Sequence, residues 1–476
     1  MNKLAAILTV PFVCAAVAGC SSSTKKADSK AAAPVAPGYV TKSSGSFKLQ
    51  PYKEVVLENG LKIIYINDTT LPRVSLTLLM KTGSMQEAAE KAGLNALTAY
   101  LLEQGSQSAD AMKIADEMGQ LGSALDVNPG ADVTTIYADS LTTGADTLLK
   151  IFSDVVMNPA FKDSEIGRMR SQMLASLQKK IDTPSSYADS QADLFLYGSH
   201  PYGRDVNGTP EGLRAITKQD IIKHFLTFYR PNNASLAVVG NFKEEYEKNV
   251  QDIFGKWTKR TIPVVKTEAA PEIDSLQVKL IVKKGLQQTQ IRIMQLGFAR
   301  NSPDYLTLRL GNEILGGGFA SRLNQKVRDD QGLTYSIYSG FDFRKERGSF
   351  DISTFTKNET AAKTLEESLA VLTDFVNKGA QETEVAAGRS QLVGQFPRAI
   401  ETADRLAYNI LALDFFGISV DYLTSFNKTV SAIRAKETNE AVMRSLKPGK
   451  MKVLIYGDES IISQFEKYKP EVVRLK

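Results

Sequence analysis

Arg230-Pro231 followed by Leu236-Ala237-Val238-Val239-Gly240-Asn241, and Lys447-Pro448 followed by Val453-Leu454-Ile455-Tyr456-Gly457-Asp458, are one motif met twice. Each is a basic residue and a proline in a turn, then a short apolar strand, then a glycine turn. The offset is 217 at both ends (447 − 230 and 457 − 240). A second pair keeps nearly the same spacing. Glu165-Ile166 with Arg170-Ser171-Gln172-Met173 returns as Glu384-Val385 with Arg389-Ser390-Gln391-Leu392, at an offset of 219 (384 − 165). Two unrelated segments that repeat at nearly one distance mark a duplication. The chain, at 476 residues, is too long for a single core. It reads as two homologous domains, 47–262 and 276–476, joined by a linker over 263–275 that carries Pro263, Pro271 and mixed charges.

The pattern inside each half sets the fold class. Leu61–Ile66, Val74–Met80 and Val133–Ala138 read as strands; Ala92–Leu102, Thr147–Val156 and Glu165–Lys179 read as helices. The second half repeats the order with strands Gln277–Val282 and Gln290–Leu296, a helix Asp304–Leu315, and strands Thr334–Phe341 and Phe350–Thr356. Helices that follow runs of strands, without strict alternation, predict an α+β fold in which each half is a mostly antiparallel sheet packed with helices.

The amino terminus addresses the chain elsewhere. Lys3 precedes an apolar run from Leu4 to Ala18, too short to span a bilayer, which ends at Val17-Ala18-Gly19-Cys20 before Ser21-Ser22-Ser23. Small residues before a cysteine resemble the lipobox of bacterial lipoproteins. That resemblance implies a signal peptide over 1–19, lipid on Cys20, and a place in the outer membrane facing the periplasm. The alternative is an ordinary cleaved signal with an incidental cysteine. Residues 20–46 are rich in Ser, Lys, Ala and Pro without periodicity, as a tether should be. Cys14 and Cys20 are the only cysteines, so the body can form no disulfide and offers no thiolate to a metal. The charge balance of +5 is small for this length, and no Lys/Arg stripe interleaved with aromatics points to nucleic acid.

Several short motifs carry a resemblance when taken together. They are Asn59-Gly60-Leu61, Gly83-Ser84 and Ala92-Gly93-Leu94, then His200-Pro201-Tyr202-Gly203, Gly208-Thr209 and Tyr229-Arg230-Pro231-Asn232. In the second half Gly316-Gly317-Gly318, Ser321-Arg322-Leu323 and Gly332-Leu333 with Tyr335 continue it. From about Tyr52 onward the chain resembles the insulinase/pitrilysin-type metallopeptidases, a resemblance that implies a clamshell built from the two domains. Active members carry His-x-x-Glu-His on the first long helix, with histidines four apart on one face and a glutamate to activate water. Here that window holds Ala96-Leu97-Thr98-Ala99-Tyr100, so Ala96, Ala99 and Tyr100 stand where those three belong. The family's third ligand, a glutamate, falls near Ser176. The two histidines of the chain, His200 and His224, have no His or Glu at ligand spacing and read as hydrogen-bonded structural residues.

Arg328 and Tyr335 stand where the family keeps an Arg/Tyr pair that holds the substrate carbonyl as it becomes an oxyanion. The plainer reading is a surface arginine and a half-buried strand tyrosine. Gly316, Gly317 and Gly318 lack the Lys-Ser/Thr of a phosphate loop. They make a helix-ending turn at least, and a close approach to substrate backbone at most. The resemblance therefore implies the degenerate subunit of a two-chain peptidase. It has no cofactor of its own, zinc is held by a motif-bearing homologous partner, and an unfolded peptide is the substrate. A binding or scaffold lipoprotein with no part in proteolysis is the alternative, and an autonomous peptidase with another metal site is a third reading.

Overall fold

The computed structural model describes residues 48–475; the signal sequence, Cys20 and the tether lie outside them. The two quoted apolar strands occupy matching places in two six-stranded sheets. The first sheet contains β1 (Lys53–Val56), β2 (Lys62–Asn67), β3 (Arg73–Met80), β4 (Asp126–Pro129), β5 (Thr134–Leu141) and β6 (Ala234–Gly240), in the order β1-β2-β6-β3-β5-β4. The second contains β7 (Gln277–Val282), β8 (Gln288–Leu296), β9 (Ile337–Asp342), β10 (Ser349–Lys357), β11 (Lys452–Gly457) and β12 (Glu471–Arg474), in the order β12-β7-β11-β8-β10-β9. Strand β6 runs parallel to β2 and antiparallel to β3, and β11 runs parallel to β7 and antiparallel to β8. The duplication extends to single hydrogen bonds. Arg170 donates to the carbonyl of Ile216 at 2.8 Å, and Arg389, its counterpart, donates to that of Ile433 at 2.6 Å. Symmetry fails at one edge, where β1 is antiparallel to β2 but β12 is parallel to β7.

Strands β6 and β11 are apolar and almost wholly buried, because both faces of each sheet are covered. On one face of the first sheet Leu61, Ile63, Leu76, Leu78, Leu236 and Val238 meet helices of the same half. On the other, Ile64, Ile66, Leu79, Ala237 and Val239 share a core with the second half, whose helix Ala403–Phe416 lies across β2, β3 and β6. The exchange is reciprocal. Helix Pro184–Tyr197 of the first half lies on β8 and β11, packing Ala188, Ala192 and Leu196 against Met294, Leu454 and Tyr456.

Charges at the helix margins fix this seam. Lys62 and Lys81 donate to Asp414 at 2.7 and 3.1 Å, and Arg73 pairs with Asp404 at 2.9 Å. In the opposite exchange Arg292, largely buried, pairs with Asp189 at 2.6 Å, and Lys452 Nζ donates to the carbonyl of Phe195 at 2.7 Å.

One glycine contact explains two sequence motifs together. Gly208 has φ +86, and a Cβ there would overlap the carbonyl of Ala92. The segment Gly208-Thr209 thus presses its backbone onto Ala92-Gly93, at the start of helix Leu94–Tyr100. Gly208→Ala adds a left-handed conformation to a backbone clash and is expected to destabilise by about 3 kcal/mol or more, to be read from the urea midpoint.

Candidate functional site

Helix Leu94–Tyr100 starts at Gly93, whose φ of 99 gives the sharp entry. The buried carboxylate of Glu87 caps it, accepting from Gly93 N at 3.0 Å and Asn95 N at 2.9 Å. Asn95 then donates to Thr134 Oγ1 at 3.1 Å, and its Oδ1 lies 3.2 Å from His224 Nε2. His224 is buried, which lowers its pKa to about 4 and keeps it neutral. His200 Nδ1 accepts from Tyr202 N at 3.1 Å while Nε2 faces Glu346 at 3.2 Å. Each imidazole is satisfied by its neighbours.

The positions of the lost zinc motif do not fit a metal. Ala96 and Ala99 are fully buried methyl groups. Tyr100 turns its hydroxyl to Asn207 Oδ1 at 3.2 Å, and Ser176 is exposed on helix Asp163–Ile181. Among the described residues no group of three His, Cys, Asp or Glu side chains could hold an ion. A methyl group offers no lone pair, so Ala96 and Ala99 can supply neither a metal ligand nor a base.

The second-half residues do come together. Helix Tyr305–Asn312 opens into a wider π-turn, Glu313–Gly317, and a second π-turn spans Asn324–Asp330. The helix expected over Asp304–Leu315 thus widens from Glu313 into the glycines, a form common at functional sites. Gly316 is buried under β9, where a Cβ would meet Ser339 N at 2.7 Å. Asn312 ties the same strand, accepting from Ser339 Oγ at 2.7 Å and donating to its carbonyl at 3.0 Å. Gly317 is exposed and Gly318 half-buried, with Asn324 Nδ2 donating to the Gly318 carbonyl at 3.3 Å. Of the three glycines, Gly317 is the one open to a ligand.

Arg328 projects from the second π-turn. Its guanidinium carbon lies 5.6 Å from the ring centre of Tyr335 and 4.8 Å from that of Phe319. Asp329 Oδ1 stands 3.8 Å from its Nε, too far for a tight pair. Tyr335 is 80% exposed and Phe319 75%, so two aromatic faces hold a cation at the surface. Phe319 is a residue that sequence reasoning passed over. Tyr335 also precedes the strand expected to contain it. Thr334 Oγ1 accepts from Ser336 N at 3.1 Å, a local turn that delays pairing until Ile337. The phenol is freed from the sheet and stands beside the arginine.

Burial elsewhere raises several carboxyls, with consequences for stability. Burial lifts Glu87 and Glu103 to about 7, and Asp193 and Asp351 to about 6. Their folded values exceed the unfolded ones, so the folded protein binds extra protons and loses stability as pH rises through 6 to 7. His224 acts oppositely, costing stability as pH falls below about 6.5. The carboxyls outweigh it by about 2 kcal/mol between pH 8 and pH 6. The Tm is therefore expected to be about 2 °C higher at pH 6 than at pH 8. A calorimetric scan checks this, and Glu87→Gln should flatten the profile.

Comparison with known proteins agrees with this architecture. Residues 62–205 match the insulinase (peptidase family M16) model, and residues 215–392 match that of the peptidase M16 inactive domain. An uncharacterized zinc protease, YmxG of Bacillus subtilis, is 24% identical over 355 residues, covering 74% of this chain and 85% of its own. A non-peptidase homolog, YmxG of Helicobacter pylori, is 22% identical over 389 residues, covering 80% of this chain and 88% of its own. The crystal structure of a peptidase M16 inactive domain from Pseudomonas fluorescens superposes with TM-score 0.80 at 26% identity, over 86% of this chain and 98% of that one. A protease structure from Helicobacter pylori, at 18% identity, gives the same TM-score of 0.80 over 86% of this chain and 100% of its own, and shares the fold. With both of its halves matched, and with alanines and a tyrosine in the zinc-motif window, the chain belongs to the insulinase family, peptidase family M16.

Proposed function

We propose that this chain is the non-catalytic subunit of a heteromeric periplasmic zinc metallopeptidase of the insulinase type, tethered to the outer membrane by lipid on Cys20. The observation that carries the reading is a contrast within one molecule. The zinc-motif positions Ala96, Ala99, Tyr100 and Ser176 carry no His or Glu, while Arg328 and Tyr335 stand side by side at the surface next to Phe319. A chain that needed no chemistry would have little use for a half-buried guanidinium beside two exposed rings. In this reading a homologous subunit with an intact His-x-x-Glu-His holds the zinc, and an unfolded peptide lies between the two chains. Arg328 and Tyr335 supply positive charge and a hydroxyl to the carbonyl oxygen as it gains negative charge. A peptide can add its backbone to a sheet edge such as β9, which among the described residues pairs only with β10.

The test is co-purification. Capture of this chain from detergent-solubilised membranes is expected to bring down a homologue with the zinc motif in near-equal amount. A second reading, a peptidase-like binding or scaffold lipoprotein, takes its support from the Helicobacter pylori relative named a non-peptidase homolog. Capture of this chain without any motif-bearing homologue would favour it.

A further inference from the structure

The segment between the two halves has no part in the peptidase reading. From Gly255 to Lys266 it reads Gly-Lys-Trp-Thr-Lys-Arg-Thr-Ile-Pro-Val-Val-Lys, with four cations and no carboxylate. That is a net +4 in a chain whose whole balance is +5. Its first part is fixed to the body. Trp257 is buried and its carbonyl accepts from Asn59 Nδ2 at 2.9 Å. Lys259 Nζ donates to the carbonyl of Glu58 at 3.1 Å, and Asn232 Nδ2 donates to that of Arg260 at 2.8 Å. Between Arg260 and β7 the chain forms no helix or strand, and Val264 is 90% exposed and Val265 41%. None of Lys256, Lys259, Arg260 and Lys266 joins an ion pair among the described residues, although the exposed carboxylate of Glu58 is a neighbour in the adjoining turn.

Unpaired cations on both sides of exposed valines call for a partner that is anionic at its surface and apolar just beneath. A phospholipid bilayer has that layering: headgroup phosphates for the cations, the acyl boundary for the valines. We infer that the strip from Lys256 to Lys266 docks the body onto an anionic lipid surface. The chain outside the described residues supports this choice of occupant. Cys20 precedes Lys48 by 28 residues (48 − 20), a length of chain that can reach no farther than about 100 Å. The described chain then enters β1, four residues long, and reaches at once the Leu57–Gly60 turn to which the strip is bonded. Tether and strip therefore leave the body at the two ends of one short strand. A lipid at Cys20 would hold the surface within reach, and the strip would set which side of the body faces it. The inference takes the membrane's location from the Cys20 reading and owes nothing to the peptidase reading.

Flotation with vesicles tests it, using the chain from residue 20 onward with Cys20→Ser, so that no lipid anchors it. The parent is expected to float at low salt with phosphatidylethanolamine vesicles containing about one quarter phosphatidylglycerol, and not with phosphatidylcholine vesicles. Lys256→Gln, Lys259→Gln, Arg260→Gln and Lys266→Gln together should lower partitioning at least about tenfold. Val264→Ser with Val265→Ser should lower it at least about threefold, with charge unchanged. The tether's lysines are common to all variants, and every substituted side chain is exposed, so thermal melts should coincide. Unchanged flotation of either variant overturns the inference, as does equal binding to phosphatidylcholine. Retention on polyglutamate without flotation also overturns it, and would identify an acidic polypeptide as the occupant instead.

Discussion

Arg328→Ala combined with Tyr335→Phe is expected to lower the peptidase rate of the reconstituted two-chain complex by about 100- to 1,000-fold, with the fold and the assembly intact. The stability cost should be small. Tyr335 and Phe319 are mostly exposed, and a cation over exposed rings contributes only about 0.5–1 kcal/mol. The kinetic cost should be large because the charge that the pair meets exists only as the carbonyl oxygen becomes an oxyanion. An interaction made only then acts on kcat and leaves KM nearly unchanged. Arg328→Lys keeps the charge but loses the planar group that lies near two rings, so it should fall between the parent and the alanine variant. Phe319→Ala should cost less than about tenfold, since it frees the guanidinium without removing it. An unchanged rate in the double variant would leave Arg328 and Tyr335 as surface residues and make the scaffold reading the better one.

What could be read from the sequence was whatever is local or repeated. Strand β6 and its counterpart β11 show as apolar runs between turns, and their constant spacing reveals the duplication before any contact is known. The departure from the family's zinc motif is equally legible, because Ala96, Ala99 and Tyr100 are read directly at its fixed helical spacing. The two seam helices were not legible. Ala403–Phe416 buries Leu406, Ala407, Ile410, Leu411, Leu413 and Phe415 around most of its circumference, so it has no apolar stripe for periodicity to detect. Pro184–Tyr197 shows the opposite difficulty: its contact face is Ala188, Ala192 and Leu196, two small residues and one leucine among serines and aspartates, too weak a stripe for periodicity to detect. The sheet each helix covers lies in the other half, a long-range pairing that no local pattern encodes. Phe319 escaped for a related reason, since an aromatic after three glycines has no periodic context. Its role appears only when the second π-turn brings Arg328 over it.

The reciprocal exchange carries the other large expected effect: residues 47–262 and 276–476, expressed separately, should each fail to fold, and should recover solubility when co-expressed. The first half alone would bare Ile64, Ile66, Leu79, Ala237 and Val239, all nearly fully buried beneath helix Ala403–Phe416 in the whole chain. Exposing side chains of this size costs about 1.5–3 kcal/mol each for the valine and larger residues, enough in sum to cancel the whole stability of a typical domain. The second half alone would bare Ile281, Met294, Leu454 and Tyr456 where helix Pro184–Tyr197 now lies. The ionic anchors fail with them, for Asp414 leaves Lys62 and Lys81 behind, and Arg292 loses Asp189. In the intact chain the same coupling predicts one cooperative unfolding transition, because neither sheet can lose the other's helix and remain covered. A clean, separate melt for either half expressed alone would show that each sheet sustains itself and that the exchanged helices are only a surface contact.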